Sequence, residues 1–256
     1  MRIEKNLRYI MDDNVSPYFS NAGLVSNTDM NQSCSNEAPS CGKRLEKSFF
    51  DKKSTTLAKE LLGQILVRKV DGSLLRGMIV ETESYLGEND VASHSYNGKR
   101  TPRNEPMYMA PGTLYVYSIY GMYYCLNISS QGEGSCVLIR SLEPIEGIDE
   151  MIAGRSFKRT SKSRPLKEHE LCNGPSKLCL ALNITKDLCN KVDATTSDEI
   201  WLESGRSVPE SDIVTAKRIG IESAGHEWAN KPLRYYIFKN KHVSVKDKKA
   251  EASYCN

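Results

Sequence analysis

Apolar and polar positions fall into folded patterns from Lys47 onward. Leu57, Ala58, Leu61 and Leu62 recur at helical spacing, with Ser54 placed to cap the start and Gly63 to stop the helix. Residues 64–70 read as a strand, Asp71-Gly72 as a hairpin turn, and residues 74–85 as a long returning strand. Residues 113–119 and 122–129 form a second strand pair around Tyr120-Gly121, and residues 135–142 a further apolar strand. Pro144 suits the first position of a helix reaching about Ala153, and residues 175–182 suit a short helix. There is no βαβ rhythm and no internal repeat. The expectation is therefore an α+β fold: a single compact mixed α/β domain with antiparallel strands, short helices and a protruding β-hairpin. It should occupy residues 45–245. Residues 1–44 are rich in Asn, Ser, Asp and Gly without sustained periodicity, and read as a disordered tail. Residues 246–256 are expected to fray.

Composition narrows the function classes. Of 256 residues, 39% are hydrophobic and 26% charged, which excludes collagen-like and wholly disordered chains. The net charge is +3, and the five basic residues of the tail are matched by five acidic ones, so the positive balance sits in the folded part. Arg155, Lys158, Arg159, Lys162, Arg164 and Lys167 crowd into one stretch, which suits either a solvated loop or phosphate contact. No run of 18 apolar residues suggests a membrane span, and the N-terminus lacks the apolar stretch of a signal peptide. The eight cysteines contain no C-x-x-C pair and are expected to be reduced thiols. Cys34 and Cys41 have no neighbouring histidine with which to build a zinc knuckle, so no metal is expected. The Walker P-loop, the G-x-G-x-x-G fingerprint, the G-x-S-x-G elbow and H-E-x-x-H are all missing.

Several residues stand out chemically. Alternation along the strand puts Ile79, Glu81, Glu83 and Tyr85 on one face. Two carboxylates on an apolar strand resist burial unless a cation meets them. The face is either solvated or contains a general base, and periodicity alone does not say which glutamate that is. Arg140 ends the apolar run from Cys136, on the face of Cys136 and Leu138, and its planar fork suits a carboxylate or phosphate. Six of thirteen tyrosines fall between Tyr108 and Tyr124. Tyr115 and Tyr117 share a face, whereas Tyr120 and Met122 stand at a hairpin tip where no core is expected, an arrangement that suits a wedge into a base stack. Asn127 is an amide among apolar residues and needs partners or a ligand. His94 lies in a polar loop close in sequence to Glu83, and Lys99, Arg100 and Arg103 follow as further candidate phosphate contacts.

The block Arg76-Gly77-Met78-Ile79-Val80-Glu81-Thr82-Glu83-Ser84-Tyr85-Leu86-Gly87 resembles the active-site strand of the alkyladenine (3-methyladenine) DNA glycosylase family. Thr101-Pro102-Arg103-Asn104, the run from Pro111 to Tyr123, Asn127-Ile128-Ser129-Ser130 and Val137-Leu138-Ile139-Arg140 continue the resemblance. Gly174-Pro175-Ser176-Lys177-Leu178-Cys179 and Lys231-Pro232-Leu233-Arg234-Tyr235 carry it to the C-terminal third. The resemblance spans about residues 45–245.

It implies a monofunctional glycosylase that removes alkylated and deaminated purines from DNA without metal or cofactor. By matched position, Glu83 would activate water and Arg140 would help to hold that water and the substrate backbone. Tyr85, His94 and Tyr117 would sandwich the flipped base, Leu138 would line the same pocket, and Asn127 would obstruct the 2-amino group of guanine. Tyr120, with Met122 beside it, would fill the vacated gap. The partner would be double-stranded DNA with damaged purines, met by a monomer with no membrane contact, in the nucleus with a mitochondrial pool. Two other readings are open: a module that flips damaged bases without cutting, and an O-glycoside hydrolase using Glu81 and Glu83, which lie about 6 to 7 Å apart on a strand. A lyase would need a Schiff-base lysine, and the matched pocket segments contain none.

Overall fold

The computed structural model describes residues 42–156 and 163–254. Cys34, Cys41, nearly all of the expected tail, and Lys158, Arg159 and Lys162 of the basic stretch lie outside those residues.

Short helices open the fold: α1, Lys47–Phe50, and α2, Ser54–Glu60. The hairpin β1 (Ile65–Val70) and β2 (Ser73–Tyr85) follows, joined at Asp71-Gly72. Both turn residues have positive φ, 50° and 86°, which is why Asp-Gly stands there. β3 (Leu114–Ile119) and β4 (Tyr123–Ser129) form the second hairpin, and β5 (Cys136–Glu146) pairs β4. Then come α3 (Ile148–Ser156), α4 (Pro175–Ala181), α5 (Lys186–Cys189), β6 (Ile200–Glu203) and β7 (Ile213–Ala216). α6 (Gly225–Asn230), β8 (Arg234–Ile237) and α7 (Lys248–Glu251) complete the described chain.

The eight strands form one antiparallel sheet in the order β3-β4-β5-β2-β1-β6, with β8 also on β2 and β7 on β8. This is the expected α+β architecture. β2 organises it. One edge of β2 pairs β5 along almost its whole length. The other edge pairs β1 up to Met78 and then β8 over Glu81, Thr82 and Glu83. The sheet forks there, and both glutamates lie at the fork. The core is built from Leu57 and Ala58 of α2, Leu61 directly after it, Leu178 and Cys179 of α4, and the inward residues of the central strands.

The β2–β5 register slips between Ile79 and Glu81 and again between Glu81 and Thr82. Glu81 faces Ser141 and Thr82 faces Ile139, so Arg140 is an extra residue on β5. Such a bulge bends the strand and re-aims the side chain it carries, and here it turns Arg140 toward β2.

Some expectations are corrected. Pro144 does not open a helix. It lies within β5 opposite Gly77, at a register slip where a missing N–H is tolerated, and the chain turns into α3 only at Gly147, φ 75°. Ser54 makes no cap; its hydroxyl bonds that of Ser84 at 2.9 Å inside the protein. Residues 42–44 already run along β6, with Ser204 N–H donating to Lys43 O and a bridge between Arg44 and Glu203. Residues 246–254, expected to fray, carry α7, capped by the Asp247 side chain, and the Tyr254 hydroxyl donates to Ile213 O at 2.6 Å.

Candidate active site

Glu81 and Glu83 are both fully buried, and their surroundings separate them. Glu81 Oε1 accepts from Arg140 Nε at 3.1 Å and Arg234 Nη1 at 2.9 Å. Its Oε2 accepts from the Ser141 hydroxyl at 2.9 Å and the Ser244 N–H at 2.7 Å. Burial opposes its charge, and Arg140, Ser244 and Arg234 more than offset that, holding the carboxyl below its ordinary range. With both oxygens taken, Glu81 is a structural anion with nothing left to offer a substrate. The two carboxylates are therefore not a working acid–base pair, and the O-glycoside hydrolase reading loses its basis.

Glu83 faces a cavity of about 850 Å³. Its Oε1 accepts the Ile219 N–H at 2.8 Å and lies 3.1 Å from Arg140 Nη1. Oε2 receives, among the described residues, the Tyr85 hydroxyl at 3.0 Å. Burial, and next the charge of Glu83, raise the Tyr85 phenol well above its ordinary pKa, so it keeps its proton and donates. One carboxylate oxygen is thus pinned, while the other keeps a lone pair for a proton from the cavity.

The cavity wall is aromatic. Tyr85, His94, Tyr115 and Tyr117 line it, with Asn127, Leu138 and Arg140 from the strands and Arg103 from a loop. The His94 and Tyr117 ring centroids stand 4.7 Å apart, edge to face, and those of Tyr115 and Tyr117 5.2 Å apart. His94 Nδ1 meets the Tyr115 hydroxyl at 2.8 Å. Burial in the cleft, followed by nearby Arg103 and Lys99, pushes the His94 imidazole down to about 4. It is accordingly neutral at neutral pH. The Asn127 amide donates to Tyr115 O at 3.0 Å, which fixes the plane it presents to the cavity. Tyr120 stands at the rim, 91% exposed, and Met122 beside it is 51% exposed. The turn between them has φ 51° at Tyr120 and 71° at Gly121.

The structure thus gathers Glu83, Tyr85, His94, Tyr117, Tyr120, Asn127, Leu138 and Arg140 around one cavity; Met122 lies outside its lining. Other parts of the site were not read from the sequence. The loop Ile219-Gly220-Ile221 closes one wall, and Ser176, Cys125 and Cys136 contribute elsewhere. Arg218 grips Asp90 with both terminal nitrogens, at 2.6 and 2.8 Å, and donates to Ser84 O at 3.1 Å; both side chains are fully buried. This pair joins the His94 loop to the Ile219 loop, and Arg218 also lies 4.7 Å over the Tyr85 ring. Asp90 and Arg218 are 128 residues apart, and no local pattern links them. Arg100, a candidate phosphate contact, makes a bidentate pair with Glu105. No group of three or more potential metal-ligating side chains occurs among the described residues, and no helix there is long and apolar enough to cross a membrane.

Comparison with known proteins gives this geometry a lineage. The mouse protein named DNA-3-methyladenine glycosylase is 54% identical over 212 residues, 81% of this chain and 63% of its own length. Its human counterpart of the same name is 53% identical over 211 residues, 81% of this chain and 70% of that protein. The chain therefore spans less than two thirds of the mouse relative. A relative from Clostridium perfringens is 48% identical over 206 residues, 79% of this chain and the whole of its own length. The family model of methylpurine-DNA glycosylase matches residues 48–241, which include every residue gathered around the cavity. The chain belongs to the methylpurine-DNA glycosylase family.

Proposed function

We propose that this protein is a monofunctional DNA glycosylase of base excision repair, hydrolysing the N-glycosidic bond of alkylated or deaminated purines. The observation that carries this is Glu83, a carboxylate with one oxygen pinned and the other open to a ring-walled cavity, beneath an exposed tyrosine at the rim.

A purine stacked in a duplex is out of reach of a buried carboxylate, so the damaged nucleotide must leave the helix. Tyr120 fills the gap it leaves, with Met122 alongside. The extruded base enters between Tyr85 on one side and His94 and Tyr117 on the other. Glu83 Oε2 takes a proton from water as that water attacks C1′ and the base departs. Arg140 orients Glu83 and steadies the sugar–phosphate. Asn127, held by Tyr115 O, stands where the 2-amino group of guanine would be. Selectivity is the product of three terms: ease of flipping, fit to the cavity, and quality of the leaving base. Cationic lesions such as 3-methyladenine and 7-methylguanine leave readily. Neutral ones such as hypoxanthine and ethenoadenine depend more on the pocket. The partner is double-stranded DNA, met by a monomer in the nucleus, with a mitochondrial pool as the second compartment that holds DNA.

Single-turnover excision from duplexes carrying one defined lesion each tests this. Release of a damaged purine to leave an abasic site is the expected result. Tight lesion binding without release from any duplex would make the protein a damage-binding module.

Tyr120→Ala should act on flipping. Unstacking a base step costs a few kcal/mol, and a ring in the gap offsets part of it. Stopped-flow fluorescence of an ethenoadenine duplex should move toward the stacked state, with a smaller loss opposite a mismatch or in single strands. An unchanged flipping equilibrium with a slower chemical step would move Tyr120 from wedge to pocket.

Binding to undamaged duplex should weaken steeply with salt. Lys99, Arg100 and Arg103 are exposed beside the cavity, and each phosphate contact contributes about −0.9 to the log–log slope. A slope near zero would remove these residues from the DNA interface.

A further inference from the structure

We infer that Ser244 is a positioning residue for Glu83, acting through Arg140, and that the C-terminal strap carrying it belongs to the catalytic apparatus. The inference rests on the function proposed above and assigns a role to a residue beyond the matched region, which ends at residue 241.

Arg140 gives each nitrogen of its guanidinium to a different partner. Nε donates to Glu81, Nη1 lies 3.1 Å from Glu83 Oε1, and Nη2 donates to Ser244 Oγ at 3.3 Å. A planar fork bound at two points retains a choice of tilt between two carboxylates, and the third point removes it. Ser244 supplies that point and also ties down the competitor, because its N–H donates to Glu81 Oε2 at 2.7 Å. Its neighbour works the same way. Val245 O accepts from Arg234 Nη1 at 2.8 Å, the nitrogen that also holds Glu81.

The strap is itself anchored. His242 N–H donates to Asn240 Oδ1 at 2.8 Å, Val243 is buried, and Asp247 N–H donates to the Tyr236 hydroxyl at 2.9 Å. Tyr254 then ties the end of the described chain to β7. Ser244 is thus held from both sides and is well placed to fix Arg140. Without its hydroxyl, Nη2 loses its acceptor in a part-buried setting, and the guanidinium tilts toward Glu81. Glu83 Oε1 then loses one of its two fixing donors.

The test compares Ser244→Ala and Ser244→Thr with the parent chain. Ser244→Ala should lower the single-turnover excision constant about tenfold while lesion-duplex Kd stays within about twofold. Ser244→Thr, which retains the hydroxyl, should restore the rate to within about twofold. A loss of packing alone would lower Tm equally in both variants and leave the rate in place. Side-chain ¹⁵N spectra give a readout independent of activity: Arg140 guanidinium protons should exchange faster in Ser244→Ala and at the parent rate in Ser244→Thr. Parent-like excision by Ser244→Ala, or a Thr variant as slow as the Ala variant, would overturn the inference. If the parent chain itself releases no base, the proposed function fails, and the Arg140 exchange rates still decide whether the clamp exists.

Discussion

Glu83→Gln should release a damaged purine at least about 10² to 10⁴ times more slowly than the parent chain in single turnover, with lesion binding largely kept. The amide is close to isosteric: its oxygen can still accept from the Ile219 N–H, and its NH₂ can donate to the Tyr85 hydroxyl oxygen once that hydroxyl turns, so the cavity should keep its shape. It cannot take a proton from water at neutral pH. Glu81→Gln is the control with the opposite signature. Its amide NH₂ would face donors it cannot accept from, among Arg140, Arg234, Ser141 and the Ser244 N–H, so stability should fall more than intrinsic chemistry. A dead Glu81→Gln of parental Tm beside an active Glu83→Gln would reverse the assignment.

The second large effect should come from a pair that touches no substrate. Asp90→Ala should destabilise the protein by about 3 to 5 kcal/mol, the cost of leaving a buried partner charge uncompensated. Arg218 would keep Ser84 O and the Tyr85 ring as neighbours and lose both charge-assisted bonds. That is a large part of the 5 to 15 kcal/mol typical of whole proteins. Urea unfolding measures it as a fall in midpoint with the slope preserved. Replacing both partners, Asp90→Leu with Arg218→Met, should recover part of the loss, because the penalty lies mainly in the stranded charge. A single variant within about 0.5 kcal/mol of the parent would mean that water reaches Arg218 in solution.

What the sequence made legible follows from how local each signal is. The turns at Asp71-Gly72 and Tyr120-Gly121 are written in two residues each, and the structure has positive φ at all four. The exposure of Tyr120 was readable because a large ring at a turn has no core to enter. Pro144 misled because a proline after a strand resembles a helix start, while its actual setting is a slipped register opposite a glycine. Alternation placed Glu81 and Glu83 on one face but could not rank them. Apart from Tyr85, two residues from Glu83, the partners that rank them come from positions 140, 141, 219, 234 and 244, none of them near in sequence. The aromatic wall was visible in part as tyrosine density and in part through matched family blocks. Asp90 and Arg218 gave no signal, since a buried ion pair across 128 residues leaves no trace in periodicity.

The fork of the sheet at β2 has a dynamic consequence. Glu83 is flanked by Leu138 on β5 and Arg234 on β8, so both edges of its backbone are ladder-bonded. Amides in such a position exchange with solvent only when the whole domain opens, whereas elements supported by few neighbours open at far lower cost. The Tyr120-Gly121 turn belongs to the second class: a Cβ built on Gly121 would meet nothing within 4 Å. Deuterium uptake should therefore be slowest at Glu83 and fastest at the Tyr120-Gly121 turn. On the proposed function, the molecule would separate a part that samples DNA by local opening from a part that cannot breathe, and transient fluctuations of the first would leave the second in register.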